Sequence, residues 1–196
     1  DWFSPDQAKR LVDVAVGRVE LAQETGELDH LDAVARAHER MNALIDDLLT
    51  LAREGDRVSE VESVDLGAIS KDCWANVSTA SATLDVRTER SIHADRSRFQ
   101  QLLENLMRNA IDHAGDDVTV SIGDFEGGFY VEDDGPGVPD DISEEVFDAG
   151  YSTNPSGTGF GLSIVEQIVS GHGWEISVTD GADGGARFEI TGVEFE

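Results

Sequence analysis

Lysine is almost absent from this 196-residue sequence: Lys9 and Lys71 are the only two, and basic residues number 14 against 41 acidic ones. The formal charge of −27 argues against nucleic acid and anionic lipid as partners, because such a surface repels both. The acidic residues are spread along the whole sequence rather than gathered in a tail. This distribution is typical of a protein kept hydrated in concentrated salt, where self-repulsion is screened, so we hypothesise a halophilic protein.

Cysteine pairs and long apolar runs are also lacking. Cys73 is the single cysteine, so no internal disulfide can form, and its neighbour Trp74 favours a buried thiol. No apolar run reaches the ~18 residues of a membrane span, and the first residues show no signal peptide. The sequence therefore predicts a soluble, cytoplasmic segment without membrane contact of its own, although a longer parent protein could carry sensor or membrane parts outside it.

Residues 1–54 predict a hairpin of two helices. The second helix has apolar positions at alternating steps of three and four, which form a heptad seam. These positions are Leu31, Val34, His38, Met41, Ile45, Leu48 and Ala52. One hairpin buries such a stripe poorly, so we expect two copies to pair into a four-helix bundle. A monomeric hairpin packed on the rest of the chain is the alternative.

Residues 61–196 predict a second domain, an α/β two-layer sandwich, after a polar linker at 54–64. The predicted helices cover 65–77, 95–113 and 162–170, with Asp65 and Asp95 opening the first two. The predicted strands cover 84–88, 91–94, 118–122, 128–131, 175–179 and 187–191. A glycine-rich irregular stretch fills 134–161. The overall fold class is therefore α+β.

The first chemical motif is Glu104-Asn105-Leu106-Met107-Arg108-Asn109, inside the predicted long helix. Asn105 and Asn109 stand four residues apart and share one face. Side-chain amides facing a cleft can ligate Mg²⁺ through their oxygens and bond phosphate through their NH₂ groups. Solvated helix asparagines are the alternative.

The second motif is Asp133-Asp134-Gly135-Pro136-Gly137, directly after a predicted strand. A carboxylate at a strand end can accept a hydrogen bond from an exocyclic amine such as adenine N6. The two glycines let the backbone approach a flat base closely. A simple tight turn is the alternative.

The third motif is Gly157-Thr158-Gly159-Phe160-Gly161-Leu162, which opens a helix. Glycines ahead of a helix N-terminus expose backbone N–H groups and the positive end of the dipole, which suits phosphate. The spacing matches neither the Walker A pattern nor the dinucleotide fingerprint.

In this order the three motifs resemble the N, G1 and G2 boxes of the GHKL ATPase superfamily, shared by gyrase, a heat-shock chaperone class, histidine kinases and mismatch-repair proteins. Residues 144–147 with 150–153 resemble the F box of histidine kinases, and 184–188 resemble their last box. The preceding hairpin is similar to the HisKA-type dimerisation segment of sensor histidine kinases. The resemblance therefore points to a sensor histidine kinase core that ends in a HATPase_c-type ATP-binding domain.

The resemblance implies a role for each motif. It makes Asn109 the Mg²⁺ ligand, Asp133 the adenine-recognising acid and Glu104 a candidate for polarising the attacking group, with residues 138–157 forming a lid. The other residues that it places around ATP are Asn105, Arg108, His113, Gly135, Gly137, Tyr151, Ser152, Thr153, Gly157, Thr158, Gly159, Phe160, Gly161 and Leu162. A response-regulator receiver domain is the implied partner, and the hairpin implies a homodimer.

Two features depart from the family pattern. Alignment of the hairpin puts Asp6 where the phosphoaccepting histidine is expected, and no histidine precedes His30. A degenerate kinase acting as an ATP-gated interaction module is therefore the alternative, whereas an anti-sigma-type serine kinase would lack the hairpin. Between Arg108 and Arg187 there is no lysine or arginine, so we expect ATP affinity to be weak at low salt.

Overall fold

The computed structural model describes residues 5–25, 60–77, 81–115, 117–139, 142–143, 145–148, 159–182 and 184–196, with positions 31, 34, 35, 38 and 41. Its helices are α1 Pro5–Thr25, α2 Leu66–Asn76, α3 Arg96–Ala114 and α4 Gly161–His172. Its strands are β1 Glu62–Asp65, β2 Thr83–Arg87, β3 Ser91–Ala94, β4 Thr119–Phe125, β5 Gly128–Asp133, β6 Glu175–Asp180 and β7 Ala186–Thr191. A short 3₁₀ turn covers Glu145–Phe147. Among these described helices, none has the length and apolarity needed to cross a bilayer.

The first predicted helix is present as α1, and its apolar side chains face outwards. Val12, Val14, Val16 and Leu21 are each between 42% and 51% exposed. Positions 31, 34, 35, 38 and 41 are helical, but most of the second predicted helix, with Ile45, Leu48 and Ala52, lies outside the described residues. The hairpin and its dimeric pairing stay predictions.

Five strands form the main sheet, in the order β2-β4-β5-β7-β6. The prediction of alternating helices and strands in an α+β sandwich is confirmed. Strands β4 and β5 form an antiparallel hairpin, and β7 pairs antiparallel with both β5 and β6. Strands β2 and β4 run parallel. Helix α3 lies in the connection between these two strands, a length of chain that a parallel pair requires.

Helices α2, α3 and α4 supply one layer of the core, and the apolar side chains of the sheet supply the other. Phe99 of α3, Phe129 of β5 and Trp174 before β6 meet edge to face, with ring centroids 5.4 to 6.3 Å apart. The predicted caps are confirmed. Asp65 accepts a hydrogen bond from Ala68 N at the start of α2, and Asp95 caps α3.

The linker prediction for residues 54–64 is wrong at its end, because Glu62–Asp65 forms strand β1. This strand pairs with β3 in a separate two-stranded sheet, and Phe195 forms an isolated bridge to Ile92 of β3. Of the four residues of β1 only Val64 is buried, and the other three are exposed. A single apolar position is too little to distinguish a strand from a polar linker in the sequence.

His172 joins the end of α4 to the start of α3. Its Nε2 accepts a hydrogen bond from Asp95 N at 3.0 Å, and its Nδ1 lies 2.8 Å from the Ile168 carbonyl oxygen. Its ring stacks on Trp174 with centroids 4.3 Å apart. Only the neutral imidazole with a proton on Nδ1 satisfies both polar contacts. This histidine therefore couples the helix that contains Asn105 and Asn109 to the helix that begins at Gly161.

Candidate functional site

Asp133, the last residue of β5, has a carboxylate fixed by two backbone donors. The residue is 9% exposed, and its Oδ1 accepts hydrogen bonds from Gly135 N at 2.9 Å and Ala186 N at 3.2 Å. Burial raises the pKa of Asp133, although these two hydrogen bonds act to lower it. With Oδ1 held in this way, Oδ2 remains to accept a hydrogen bond from a ligand.

The glycines around Asp133 are required by close backbone packing. A side chain at Gly135 would collide with Ala114 at the end of α3, and one at Gly185 would collide with the Asp133 backbone. Gly137 has φ of 76°, a left-handed conformation that glycine adopts without strain. A Cβ there would lie 3.4 Å from the carbonyl oxygens of Gly184 and Gly185. The loop after β5 is thus enclosed between the end of α3 and the β6–β7 turn.

Asn105 of α3 and Gly161, the first residue of α4, lie side by side. A Cβ at Gly161 would come 3.4 Å from Asn105 Oδ1, and Asn105 Nδ2 donates to Gln101 O at 2.9 Å. Phe160, the N-cap residue of α4, provides no side-chain cap, so among the described residues the N–H groups of the first turn are left for an anion. The preceding Gly159 has φ of 78°, Phe160 is buried in the core and Leu162 packs against it.

The rest of α3 extends from Asn105 towards Asp133. Asn109 follows one turn later and is half-buried, whereas Arg108 is exposed. His113 is exposed in the last turn, and its charge acts to lower the pKa of Asp133. The helix therefore extends from the first turn of α4, beside Asn105, to the loop of Asp133, beside Ala114. We call the surface of α3 between these two ends the cleft.

The stretch of chain that carries these amides, the acid and the glycines matches a known protein family. Residues 94–193, just over half of the chain, match the model of the histidine kinase-, DNA gyrase B- and HSP90-like ATPases. The chain belongs to this family. The sensor histidine kinase resemblance that the sequence motifs predicted is thereby confirmed for its ATP-binding core.

Named relatives of this ATPase domain are histidine kinases. The signal transduction histidine-protein kinase AfsQ2 of Streptomyces coelicolor is 34% identical over 167 residues, covering 77% of this chain and 30% of AfsQ2. The chain spans about a third of the length of the curated relatives that it matches. The solved chain of the mycobacterial sensor histidine kinase MprB superposes with a TM-score of 0.59 at 26% identity, over 69% of this chain and 97% of the solved one. The solved chain of the Acinetobacter baumannii histidine kinase AdeS shares the fold, with a TM-score of 0.69 at 20% identity over 94% of this chain and 95% of the solved one.

Glu104 lies on a different side of α3 from the cleft. Its Oε1 accepts hydrogen bonds from Asn76 at 3.1 Å and Gln100 at 2.9 Å, so the carboxylate is directed towards the C-terminal end of α2. Neither contact involves Asn105, Asp133 or Gly161. A catalytic role for Glu104 stays a prediction, and in this arrangement it would require the carboxylate to leave both amides.

Several residues predicted to surround ATP, most of them in the lid, lie outside the described residues. They are Tyr151, Ser152, Thr153, Gly157 and Thr158. The lid segment before them begins on the core, because Phe147 packs edge to face on Phe188 of β7 with ring centroids 6.4 Å apart. The described start of the F box is thus attached to the strand that also contacts Asp133.

Two hydrogen bonds from backbone N–H groups support the ATPase site and were not predicted from the sequence. Ala186 N holds Asp133 Oδ1, and Asp134 Oδ1 accepts from Thr119 N at 2.7 Å, which ties the loop to the start of β4. The Gly184-Gly185 pair was a usable signal, because adjacent glycines indicate close backbone approach. Which strand these glycines approach depends on the order of the strands in the sheet, and the local sequence does not indicate that order.

Positive charge is scarce around the cleft. Arg108 is exposed on α3, and the next arginine along the chain, Arg187, is directed to the opposite face of the sheet. There it is paired with Glu132 at 2.9 Å and with Glu189 at 2.7 Å. Its guanidinium is therefore already neutralised by two carboxylates and does not contribute to phosphate binding.

Proposed function

We propose that this chain is the ATP-binding catalytic core of a sensor histidine kinase. In this proposal it binds MgATP, transfers the γ-phosphoryl group to a histidine, and works in the cytoplasm with a response-regulator receiver domain as the next acceptor. The observation that carries it is the Asp133 carboxylate, buried, held through Oδ1 and left with Oδ2 for an exocyclic amine.

The residues of the cleft fit a magnesium nucleotide. Oδ2 of Asp133 would accept from the adenine amino group, and the loop of Gly135 and Gly137 beside it would line the base. The first-turn N–H groups of α4 and the amide of Asn105 would hold phosphate oxygens. Among the described residues no three His, Cys, Asp or Glu side chains cluster as a metal site. An amide oxygen from Asn109 together with phosphate oxygens would therefore hold Mg²⁺.

Phosphoryl transfer in such a site depends on positioning and on charge neutralisation rather than on covalent chemistry by the protein. Bound magnesium supplies the charge neutralisation. The chain contributes an uncapped helix end, two amides on one helix face and an acid that fixes the base. Because Arg108, the arginine of α3 next to both asparagines, is exposed, the backbone dipoles and the metal would provide most of the stabilisation of developing charge.

The hairpin would serve as the dimerisation segment. The exposed Val12 and Val16 lie one turn apart on one side of α1, and the exposed Val14 and Leu21 lie on the other side. The second helix of the hairpin and a second copy would together cover these two sides. Asp6 at the expected acceptor position favours the second candidate, an ATP-gated interaction module without a phosphohistidine of its own. In that case the accepting histidine would belong to another chain, or transfer would not occur.

The test uses the purified chain in about 2 M KCl, a screening condition chosen because of its acidic surface. Calorimetric titration with MgATP compares wild type, Asp133→Asn and the matched neighbour Asp134→Asn. Asp133→Asn should weaken binding by about tenfold or more, because its NH₂ would oppose the adenine amine and a charged hydrogen bond is lost. Asp134→Asn should bind within about twofold of wild type, because its amide keeps an oxygen that can accept from Thr119 N. Equal affinity of Asp133→Asn and wild type would contradict the proposed site.

Incubation with γ-labelled ATP separates the two candidate functions. A label on the chain that is lost in acid and stable in base indicates phosphohistidine and supports the kinase. Binding of ATP with no label on the chain, alone or with a histidine-containing partner hairpin, favours the interaction module.

A further inference from the structure

Arg187 is the only lysine or arginine in residues 109–196 of this chain. Its guanidinium contacts three side chains on the face of the sheet opposite the helices. It donates to Glu132 Oε2 at 2.9 Å and to Glu189 Oε1 at 2.7 Å, and it lies 3.7 Å from the centroid of the Tyr130 ring. The side chain of Glu132 is 6% exposed and that of Arg187 is 21% exposed. We call these four residues the back-face cluster.

The back-face cluster is located at the end of the β5–β7 pairing. Glu132 and Arg187 face each other in the last cross-strand pair of these two strands. The next residues are Asp133 on β5 and Ala186 on β7, whose side chains are directed to the helix face, since successive side chains alternate. There Ala186 N donates to Asp133 Oδ1 at 3.2 Å. The ion pair on one face and the acid-holding hydrogen bond on the other are thus one residue apart on both strands.

A change at Arg187 would be transmitted to Asp133 through the backbone. Without its cation, the buried Glu132 carboxylate would have to seek water or another donor, because an unpaired buried charge is strongly disfavoured. Glu132 is covalently adjacent to Asp133, so its displacement moves the acid. On its other side Asp133 is packed so closely on Gly185 that even a Cβ there would collide with the Asp133 backbone. Asp133 therefore has no space to move in that direction.

We propose that Arg187 is a positioning residue for nucleotide recognition: by joining Glu132 and Glu189 across the last β5–β7 pair, it fixes the Asp133 carboxylate for the exocyclic amine of the base. This role rests on the proposed function, in which Asp133 contacts adenine. It explains why the single lysine or arginine of residues 109–196 lies away from the phosphate end of the cleft.

The experiment compares two nucleotides that differ only in the group that Asp133 would contact. MgATP and the magnesium complex of purine riboside triphosphate, which lacks the 6-amino group, are titrated calorimetrically in about 2 M KCl. The variants are Arg187→Lys, which keeps the charge but loses the two-pronged donor and ring contact, and Arg187→Met combined with Glu132→Gln. The double variant removes the buried charge of Glu132 together with its cation, and the Glu189 carboxylate that loses the same cation is partly exposed to water. Arg90→Lys is the matched control, since Arg90 also covers an aromatic ring, that of Phe195 at 3.9 Å, and faces Asp124.

Wild type should prefer MgATP by on the order of tenfold, the effect of one hydrogen bond to a charged group. Both Arg187 variants should reduce this preference to about twofold, mainly by weakening ATP, while Arg90→Lys keeps the wild-type preference. A purely structural effect would weaken both nucleotides by the same factor, and that result in the Arg187 variants would overturn the proposal. An equal loss of preference in Arg90→Lys would also overturn it.

The proposed function and the positioning role of Arg187 are refuted by different results. If wild type binds both nucleotides equally, or binds neither, the proposed function fails at Asp133 and the role of Arg187 fails with it. If wild type discriminates and the folded Arg187→Lys variant discriminates equally well, only the positioning role is refuted. Circular dichroism confirms folding of each variant, and Arg187→Lys, the milder change, decides the outcome if the double variant does not fold.

Discussion

Replacing His172 with phenylalanine tests whether a neutral imidazole fastens α4 to α3. Phenylalanine keeps a flat ring against Trp174 but cannot accept from Asp95 N or bond the Ile168 carbonyl. A half-buried backbone N–H that loses its acceptor costs about 1–3 kcal/mol. We therefore expect the free energy of unfolding at pH 8 to fall by about 2 kcal/mol, which lowers Tm by about 6 °C for a chain of this size.

The stabilisation that His172 provides should decrease as pH falls. Burial lowers the pKa of His172; the Asp95 carboxylate acts to raise it, and Arg98 acts to lower it. The unfolded state therefore binds the proton more readily than the folded state. The stabilisation by the neutral ring is complete above the pKa of about 6.5 of an unfolded histidine, and it is lost as pH falls from there through the lower folded pKa.

Urea unfolding of wild type and His172→Phe between pH 8 and pH 5.5 measures the difference directly, and taking the difference cancels the titration of the many carboxylates. The two stabilities should converge as pH falls. A surface control, His93→Phe on β3, should give no such convergence. A difference that is constant with pH would refute the assignment of the neutral tautomer to the α3–α4 contact.

Two further outcomes are expected. Burial, together with the nearby Glu104 and Asp72, raises the pKa of Cys73 to about 12, so iodoacetamide at pH 8 should label the native chain far more slowly than the urea-unfolded chain; equal rates would place the thiol at the surface. The charge of −27 should make Tm rise between about 0.1 M and 2 M KCl as the screening length shortens to a few ångström. Affinity for MgATP should improve over the same range, and a flat or falling affinity would contradict the electrostatic argument.

Residues whose partners are local were predictable from the sequence. Asp65 and Asp95 begin helices because each can cap an amide two or three residues ahead, and the β4–β5 hairpin follows from alternating strands around Glu126-Gly127. The three boxes also follow from local chemistry, because an acid after a strand and glycines before a helix are readable without knowing what lies opposite.

Contacts between distant segments were not predictable. Ala186 carries no polar side chain, so nothing in its identity indicates that its N–H holds Asp133, 53 residues away along the chain. Strand β1 and the parallel β2–β4 pair likewise depend on sheet order rather than on local pattern. The orientation of Glu104 towards Asn76 depends on how α2 packs on α3, and the pattern of apolar residues in α3 does not predict that packing.

The parallel pairing of β2 with β4 also bears on how the cleft comes into existence. Thr83 pairs with Thr119, and the chain between them includes α3 with both asparagines. A hairpin such as β4–β5 can close early, but a parallel pair must wait until its whole crossover has been ordered, and such non-local closures are the slow events of folding. A newly made chain can therefore form the β4–β5 hairpin that carries Asp133 while it still lacks both α3 beside it and the Ala186 N–H that holds its carboxylate. The surroundings of Asp133 are thus completed late, once the crossover and β7 are in place.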